Sequence, residues 1–140
     1  GLLGLEYVSG SFGRMIVARL SPREDLVGSI RSIAERENIQ SGVFSAIGTV
    51  SQAHFYFYAP KRSPVLLKEP LEIISCIGSI SLEEGRPFVH GHISVSDSKY
   101  HCYGGHLLEE TLIDRVAEVF ILELSGKTIV RRGDGSWQLS

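Results

Sequence analysis

The amino-acid sequence predicts a domain built mainly of β-strands, with one α-helix near the N-terminus. Two observations predict this. Most apolar segments alternate apolar and polar residues with a period of two, which is the pattern of half-buried strands. A single segment, residues 21–40, instead repeats its apolar residues at the three-to-four spacing of a helix. The chain has 140 residues, of which 43% are hydrophobic, so we expect a single domain over residues 1–140 with its own core.

The first strand leads directly into the helix. Residues 12–20 alternate and are predicted to form a strand. Ser21 can cap the free amides of the helix, Pro22 suits its first position, and Glu24 can complete a capping box. The helix is expected to end near residues 38–40. Its apolar stripe consists of Leu26, Ile30, Ile33 and Ala34.

Two further strands are predicted on either side of a central loop. The glycines of residues 42–50 are expected to mark strand ends or a close approach of the backbone. Residues 71–80 are apolar on both faces, so this strand is expected to be buried on both sides. Residues 60–64 form the predicted loop, which carries Lys61 and Arg62.

The strand predicted over residues 53–58 has two unlike faces. Phe55 and Phe57 project to one side, which we expect to be core. The other side is more aromatic than a free surface requires. We expect it to be a subunit interface, where tyrosine is enriched, with ligand stacking as the alternative. Its members are His54, Tyr56 and Tyr58.

Residues 89–95 place two histidines on one face of a strand. His90 and His92 are two positions apart, so their side chains project to the same side. Two imidazoles on one face are the beginning of a metal site. The opposite, core-facing side carries Val89, Ile93 and Val95.

A third histidine follows a glycine pair. His106 comes directly after Gly104 and Gly105, which can let the backbone turn sharply, and a loop histidine could turn toward the other two. Three imidazoles suit zinc or a similar divalent ion, with one coordination position open. Two alternatives stay open: the histidines could be ordinary residues of a solvated face, and His101 could be the third ligand instead of His106.

The C-terminal third is predicted to continue the sheet. Residues 99–103 are expected to pair with the histidine strand through a turn at residues 96–98. Residues 107–124 fit a helix or a strand; we expect a loop and then a strand, because residues 119–122 are β-branched and aromatic. A short strand, a turn and a tail that packs back are expected over residues 127–132, 133–135 and 137–139.

The charge and cysteine content bound the possible partners. The net charge of −2 and the pI of about 6.2 give no electrostatic reason to expect nucleic acid or an anionic membrane. Cys76 and Cys102 form no C-x-x-C motif, which favours a reduced cytoplasmic protein over one with a single disulfide. The apolar runs are shorter than the roughly 20 residues that span a bilayer, and the first residues lack the basic segment of a signal peptide.

The order of these motifs carries a family resemblance. The helix is followed by residues 41–48, 71–80, 90–92 and 104–107, which run Ser-Gly-Val-Phe-Ser-Ala-Ile-Gly, Leu-Glu-Ile-Ile-Ser-Cys-Ile-Gly-Ser-Ile, His-Gly-His and Gly-Gly-His-Leu. This ordered set resembles the PPC domain family, shared by plants and prokaryotes. In plants the domain follows AT-hooks in nuclear proteins. The likeness covers nearly the whole chain.

The resemblance implies an α+β domain with a largely antiparallel, barrel-like sheet, one main helix over about residues 21–40, and a homotrimeric assembly. It further implies a histidine cluster that can hold zinc, of the kind found in stand-alone prokaryotic members. That cluster matches His90, His92 and His106 in this sequence.

The first functional hypothesis is a stand-alone, metal-binding trimeric domain with a regulatory or DNA-associated role. The chain is slightly acidic and has no AT-hook, so DNA contact would need basic groups gathered by assembly. The available groups are Arg14, Lys61, Arg62, Arg131 and Arg132.

Two further hypotheses concern what the metal does. In the second, the domain is a metal-dependent enzyme on a small molecule, with an acid or base drawn from Glu109, Glu110 or Asp97. In the third, the metal is structural and the domain is an interaction module. Cys102, His101 or a residue of another subunit would then supply the fourth ligand.

Overall fold

The computed structural model describes residues 4–59 and 63–140 and contains, within these ranges, one helix and nine strands. The elements are β1 (Ser11–Leu20), α1 (Leu26–Arg36), β2 (Gly42–Tyr56), β3 (Val65–Leu67), β4 (Leu71–Glu83), β5 (Arg86–Ser96), β6 (Cys102–Leu107), β7 (Leu112–Ser125), β8 (Ile129–Arg131) and β9 (Trp137–Leu139). Within the same ranges, no helix is long and apolar enough to cross a bilayer.

The strands form one mostly antiparallel sheet. Their order is β1-β7-β2-β6-β5-β4-β8-β9, with β3 paired to β2. β2 also pairs with β4, so β2, β6, β5 and β4 close into a ring. The link between β2 and β6 joins only Phe55 to Leu107 and Tyr56 to His106, so this ring is not a clear barrel. The predicted class, a largely antiparallel sheet with one main helix, is confirmed.

The core lies between the helix and one face of the sheet. From α1, Leu26, Ile30 and Ala34 are buried, in agreement with the predicted stripe, whereas Ile33 is only partly buried. Removing one large aliphatic side chain from water stabilises the fold by about 1.5–3 kcal/mol. The sheet contributes, among others, Ile73, Ile80, Ile93, Val95, Val119 and Ile121.

The helix begins later than predicted. Asp25 is the N-cap, and its carboxylate accepts a hydrogen bond of 2.7 Å from the backbone N–H of Gly28. Ser21 and the proline after it lie in a turn instead. Arg23 has a left-handed φ of 72°, and its backbone N–H donates to the carbonyl of Ile113 at 2.8 Å. Bonding to β7 therefore holds this segment out of the helix. At the other end, the helix stops at Arg36, earlier than expected.

The strands predicted over residues 42–50 and 53–58 are one continuous strand, β2. Its register is irregular around Gly48, which has a φ of 143°. A Cβ at this position would lie 2.3 Å from the carbonyl oxygen of Val116, so the expected close approach is confirmed. The strand ends at Tyr56. Phe57 follows it and is 53% exposed, so the prediction that Phe57 belongs to the core is wrong.

The prediction that residues 71–80 are buried on both faces is also wrong. Ile73 and Ile80 are buried, but Ile74 and Ile77 are 51% and 61% exposed. The reason is that the helix and the core cover only one side of this sheet. The strand therefore presents apolar side chains on an uncovered face.

The remaining elements largely follow the predictions. β5 and β6 form the expected hairpin, and β7 follows a loop. β8 falls within the predicted short strand, and the tail packs back onto it as β9. The predicted loop over residues 60–64 falls partly on residues 60–62, which lie outside the described residues.

Candidate metal centre

β5 presents His90 and His92 on one face, as predicted. His90 is partly buried and His92 is exposed. Gly91, between them, is buried, and a side chain at this position would face the core. A Cβ at Gly91 would lie 2.7 Å from the ring carbon Cζ of Phe44. The core aromatic ring thus requires a glycine between the two histidines. Gly78 is the partner of Gly91 on β4, so the phenyl ring packs over a glycine pair.

His106 is supplied by β6, where it is the direct cross-strand partner of His92. The expectation that it lies in a loop after a sharp turn is wrong, because Gly104 and Gly105 are inside the strand. Their role is close packing. A Cβ at Gly104 would lie 2.3 Å from the carbonyl oxygen of Ile93, and a Cβ at Gly105 would lie 2.6 Å from that of Tyr56.

The three imidazoles form one compact group. Ring centroids are 5.5 Å apart for His90 and His92, 5.0 Å for His90 and His106, and 5.8 Å for His92 and His106. One nitrogen of each ring can be chosen so that all three lie within 4.8 Å of one another. Ligand nitrogens around a tetrahedral zinc ion are about 3.3 Å apart, given bonds of about 2.0–2.1 Å. Small side-chain rotations would therefore bring the nitrogens to coordinating distance.

The electrostatic surroundings favour neutral imidazoles. Partial burial lowers the pKa of His90 below its ordinary value, and the charges of Arg131 and His92 lower it further. Burial likewise lowers the pKa of His106, with additional contributions from the other two histidines and Arg131. The neutral ring is the form that binds a metal ion, so both shifts keep the rings in the coordinating form, while the charge of Arg131 itself repels a cation.

Two residues to which the sequence analysis gave other roles, Tyr56 and Arg131, lie beside the histidines. The ring of Tyr56 lies 4.7 Å from that of His106, because the two are partners across β2 and β6. The guanidinium carbon of Arg131 lies 4.6 Å from the centroid of the Phe88 ring, two residues before His90 on the same face of β5. No local sequence signal could have found Arg131 as a neighbour, since β8 joins the sheet through a single parallel bridge.

The other candidate ligands are engaged elsewhere. His101 is largely exposed, and its Nδ1 lies 3.4 Å from a carboxylate oxygen of Asp97 in the hairpin turn. Cys102 is exposed and Cys76 is buried, and both are free thiols. Among residues 4–59 and 63–140, the triad is the only group of three or more potential ligands, and no carboxylate or thiol joins it.

The predicted acid and base candidates also have other partners. The Asp97 carboxylate accepts hydrogen bonds from the backbone N–H groups of Lys99 and His101, each at 2.9 Å. The Glu109 carboxylate pairs with Arg31. The third candidate, Glu110, lies in the loop before β7 and is held there by its backbone, which donates to Asp25 Oδ1 at 2.6 Å and accepts from Gln52.

An apolar groove of about 670 Å³ adjoins the histidines. It lies on the uncovered side of the sheet. Here, rows of residues that are paired across neighbouring strands run from β1 through β7, β2 and β4 to β5. One such row ends at His90 and another at His92. We call this surface the apolar outer face; it comprises Met15, Val17, Val43, Ile77, Phe120 and Leu122.

Two curated relatives of similar sequence come from cyanobacteria. The chain is 34% identical over 111 residues to the Bifunctional protein GlmU of Synechococcus sp. (strain JA-3-3Ab), which covers 79% of this chain and 17% of the relative. A second GlmU, from Synechococcus sp. (strain JA-2-3B'a(2-13)), is 35% identical over 106 residues. The chain thus spans about a sixth of the length of the curated relatives it matches.

Similar solved structures include two archaeal proteins. The Pyrococcus horikoshii plant- and prokaryote-conserved (PPC) protein has a TM-score of 0.83 and 32% identity, covering 91% of this chain and 90% of its own. A metal-containing protein from Archaeoglobus fulgidus has a TM-score of 0.82 and 33% identity, covering 91% of each chain. A protein of Ralstonia eutropha JMP134, whose name assigns it provisionally to DNA binding, has a TM-score of 0.76 and 25% identity, covering 89% of each chain.

The match to a family is direct. Residues 7–125 match the Plants and Prokaryotes Conserved (PCC) domain. This range includes the helix, seven of the strands and the three histidines of the triad. Together with the archaeal structures, this confirms the resemblance noted in the sequence. The chain belongs to the Plants and Prokaryotes Conserved domain family, whose Pyrococcus member carries the abbreviation PPC.

Proposed function

We propose that this chain is a metal-binding domain, in which His90, His92 and His106 hold a divalent ion, with zinc expected. The single observation that carries the proposal is the compact triad, with one nitrogen of each ring within 4.8 Å of the others. Three neutral imidazoles without a thiolate or carboxylate are a ligand set that suits zinc. The name of the Archaeoglobus fulgidus protein, which is 33% identical, supports a metal in this fold.

We propose that the metal serves binding rather than hydrolysis. An ion held by three protein ligands keeps a position open for a water molecule or another ligand. Hydrolysis would also require a general base near that position. Asp97, Glu109 and Glu110 are the candidates from sequence; the carboxylates of Asp97 and Glu109 are engaged in the turn and the loop, and no carboxylate joins the triad among the described residues. Beside the triad lie the ring of Tyr56 and the guanidinium group of Arg131, which pairs with Glu83.

We propose that the domain assembles as a homotrimer, the state implied by the family resemblance, through the apolar outer face. Four of its side chains are more than half exposed in the single chain: Met15 57%, Val17 65%, Val43 54% and Ile77 61%. Contiguous apolar surface of this kind is unusual on a monomer and marks an interface.

The free thiols support a reducing compartment, and we propose the cytoplasm.

DNA association is the weaker candidate. It rests on the provisional name of the Ralstonia eutropha protein. Of the basic groups available, Arg14 is paired with Glu123 and Glu37, and Arg131 with Glu83. Lys61 and Arg62 lie outside the described residues. The net charge of −2 supplies no general attraction to phosphates.

The experiment that tests the proposal is elemental analysis of the chain purified without added metal, combined with its native mass. We expect about one zinc ion per chain, in line with a three-histidine site, and a trimeric mass. A chain that contains no metal and takes up none on titration would refute the metal centre. A monomeric mass would refute the assembly alone.

Val17→Lys separates the interface from the site. It places a charge on the apolar outer face without touching a histidine, so we expect dissociation with the metal retained. Leu5→Lys is the matched control, because Leu5 is 89% exposed and lies outside that face. A trimer that persists in Val17→Lys would contradict the proposed interface.

A further inference from the structure

We propose that Arg131 and the metal centre together bind a small oxyanion, a carboxylate or a phosphate. This inference deepens the proposed function and rests on it. It states which class of ligand, a small oxyanion, occupies the open coordination position. It also assigns Arg131 the role of positioning that ligand.

The fold holds the guanidinium group of Arg131 on the same side of the sheet as the histidines. β8 joins the edge of β4 through the bridge between Val130 and Leu82. From there the Arg131 side chain crosses to β5, where its guanidinium carbon sits 4.6 Å from the centroid of the Phe88 ring. Phe88 and His90 are two positions apart on β5 and therefore project to the same face.

The charge of Arg131 lies on the face of β5 that carries His90 and His92, because its guanidinium group covers the ring of Phe88. The side chain is only 22% exposed, so this charge is held close to the protein surface and screened less than that of a free surface arginine. A cation on this face opposes the binding of a metal ion, and an anion bound between the two would relieve the repulsion.

The polar contacts of Arg131 leave room for such an anion. Its Nε lies 3.6 Å from Oε2 of Glu83. In the part of the chain that the structure describes, its two terminal nitrogens make no hydrogen bond, and its ion pair with Glu83 is through Nε. A guanidinium group presents its donors as a planar fork that matches the oxygens of a carboxylate or phosphate. The terminal nitrogens are thus available for a ligand.

The sum of charges points the same way. Three neutral histidines leave the two positive charges of a divalent ion uncompensated, and no described carboxylate joins the ligand group. The charge of Arg131 adds to these, and that of Glu83 offsets it. The site therefore carries about two net positive charges when loaded with a divalent ion. A small oxyanion neutralises them and can bind the ion and the fork at once.

The test uses the full chain loaded with cobalt(II), whose visible absorption reports changes in coordination. Acetate and inorganic phosphate are titrated separately, so that the two arms distinguish a carboxylate site from a phosphate site. We expect one of the two to change the spectrum saturably. In Arg131→Gln with full metal content, its dissociation constant should rise by about 10- to 100-fold, the usual effect of losing hydrogen bonds to a charged group.

Two further variants separate recognition from structure. Arg131→Lys keeps the charge and loses the fork, so we expect intermediate affinity; it also preserves the test should Arg131→Gln fail to fold. Glu83→Gln should leave anion binding unchanged or tighter. If Arg131 serves only to pair with Glu83, anion affinity will be equal in wild type and both Arg131 variants, which would overturn the inference.

The failures of the two proposals are distinguishable. A chain that takes up no metal overturns the metal centre and this inference together. A metal-loaded chain that binds neither acetate nor phosphate overturns only the oxyanion site. Binding of equal strength to the metal-free chain would show that the anion does not occupy a coordination position, and would also overturn it.

Discussion

His92 and His106 are direct partners across the antiparallel hairpin of β5 and β6, with ring centroids 5.8 Å apart. The composition of the triad therefore depends on strand register. A slip of β6 by one residue would turn His106 to the opposite face of the sheet, because side chains alternate along a strand. No loop is needed to position His106, since the backbone pairing of β5 and β6 brings its ring to the other two.

Removal of one histidine should abolish tight metal binding. In His106→Ala, two imidazoles remain, and we expect metal affinity to fall by more than about 100-fold, beyond the 10–100-fold typical of changes outside the ligand set. Metal content after dialysis, measured by elemental analysis, checks this. His101→Ala is the control, since His101 contacts Asp97 in the turn. Equal metal loss in both variants would contradict the assignment of His106.

Gly78 of β4, the cross-strand partner of the glycine between His90 and His92, should tolerate no side chain. A Cβ at Gly78 would lie 2.1 Å from the carbonyl oxygen of His90 and 2.5 Å from the ring of Phe44. We expect Gly78→Ala to lower the free energy of unfolding by about 1–3 kcal/mol or more, the usual cost of overpacking, and to weaken metal binding by displacing β5. Denaturant titration of the metal-free chain measures the first effect.

Gly133→Ala is the matched control for this substitution. A Cβ at Gly133 meets no atom within 4 Å. We expect its free energy of unfolding to stay within about 0.5 kcal/mol of wild type, as for most surface changes. If Gly78→Ala behaves like Gly133→Ala, the close packing of β4 against β5 is not a requirement of the fold.

The two thiols should differ sharply in reactivity. Burial raises the pKa of Cys76 to about 12, so its reactive thiolate is essentially absent near neutral pH. Cys102 is exposed. We expect a thiol-specific chromogenic reagent at pH 8 to modify one thiol per native chain and two after unfolding in denaturant. Cys102→Ser should abolish the native reaction; a remaining fast reaction would mean that Cys76 is accessible.

The ion pair between Arg14 and Glu123 should contribute a pH-dependent part of the stability. The hydrogen bond from Arg14 lowers the pKa of Glu123 below its ordinary value of 4.5. A lowered carboxyl pKa favours the folded state above the ordinary value, and this contribution is lost as the pH falls through the folded-state pKa.

Glu123→Gln removes the charge while keeping the shape. Since the pair is near the surface, we expect a Tm about 1–3 °C below wild type at pH 7. The difference should shrink as the pH falls below 4.5 and vanish below the folded-state pKa of Glu123. Thermal melts at pH 7 and pH 3 check this, with Glu72→Gln on the exposed face of β4 as control. A difference that is unchanged at pH 3 would exclude the ion pair as its cause.

The sequence by itself determined the local features of this protein. Period-two alternation identified most strands, and helical spacing identified α1. The same alternation put His90 and His92 on one face of β5. These features depend only on the geometry of a single element, which the order of residues expresses directly. The family resemblance added the antiparallel class, and it agreed with the preference for His106 that the preceding glycine pair had suggested.

Only the tertiary structure decided how these elements meet. Hydrogen bonds to β7 delay the start of α1 from Ser21 to Leu26. The pairing of β5 with β6 brings His106 to the triad from inside a strand, and a single bridge to β4 carries Arg131 beside it. The uncovered face of β4 likewise follows from which side the helix covers. Such contacts join residues far apart in the chain, and register and layer order are set by the closure of the whole sheet, which no local pattern encodes.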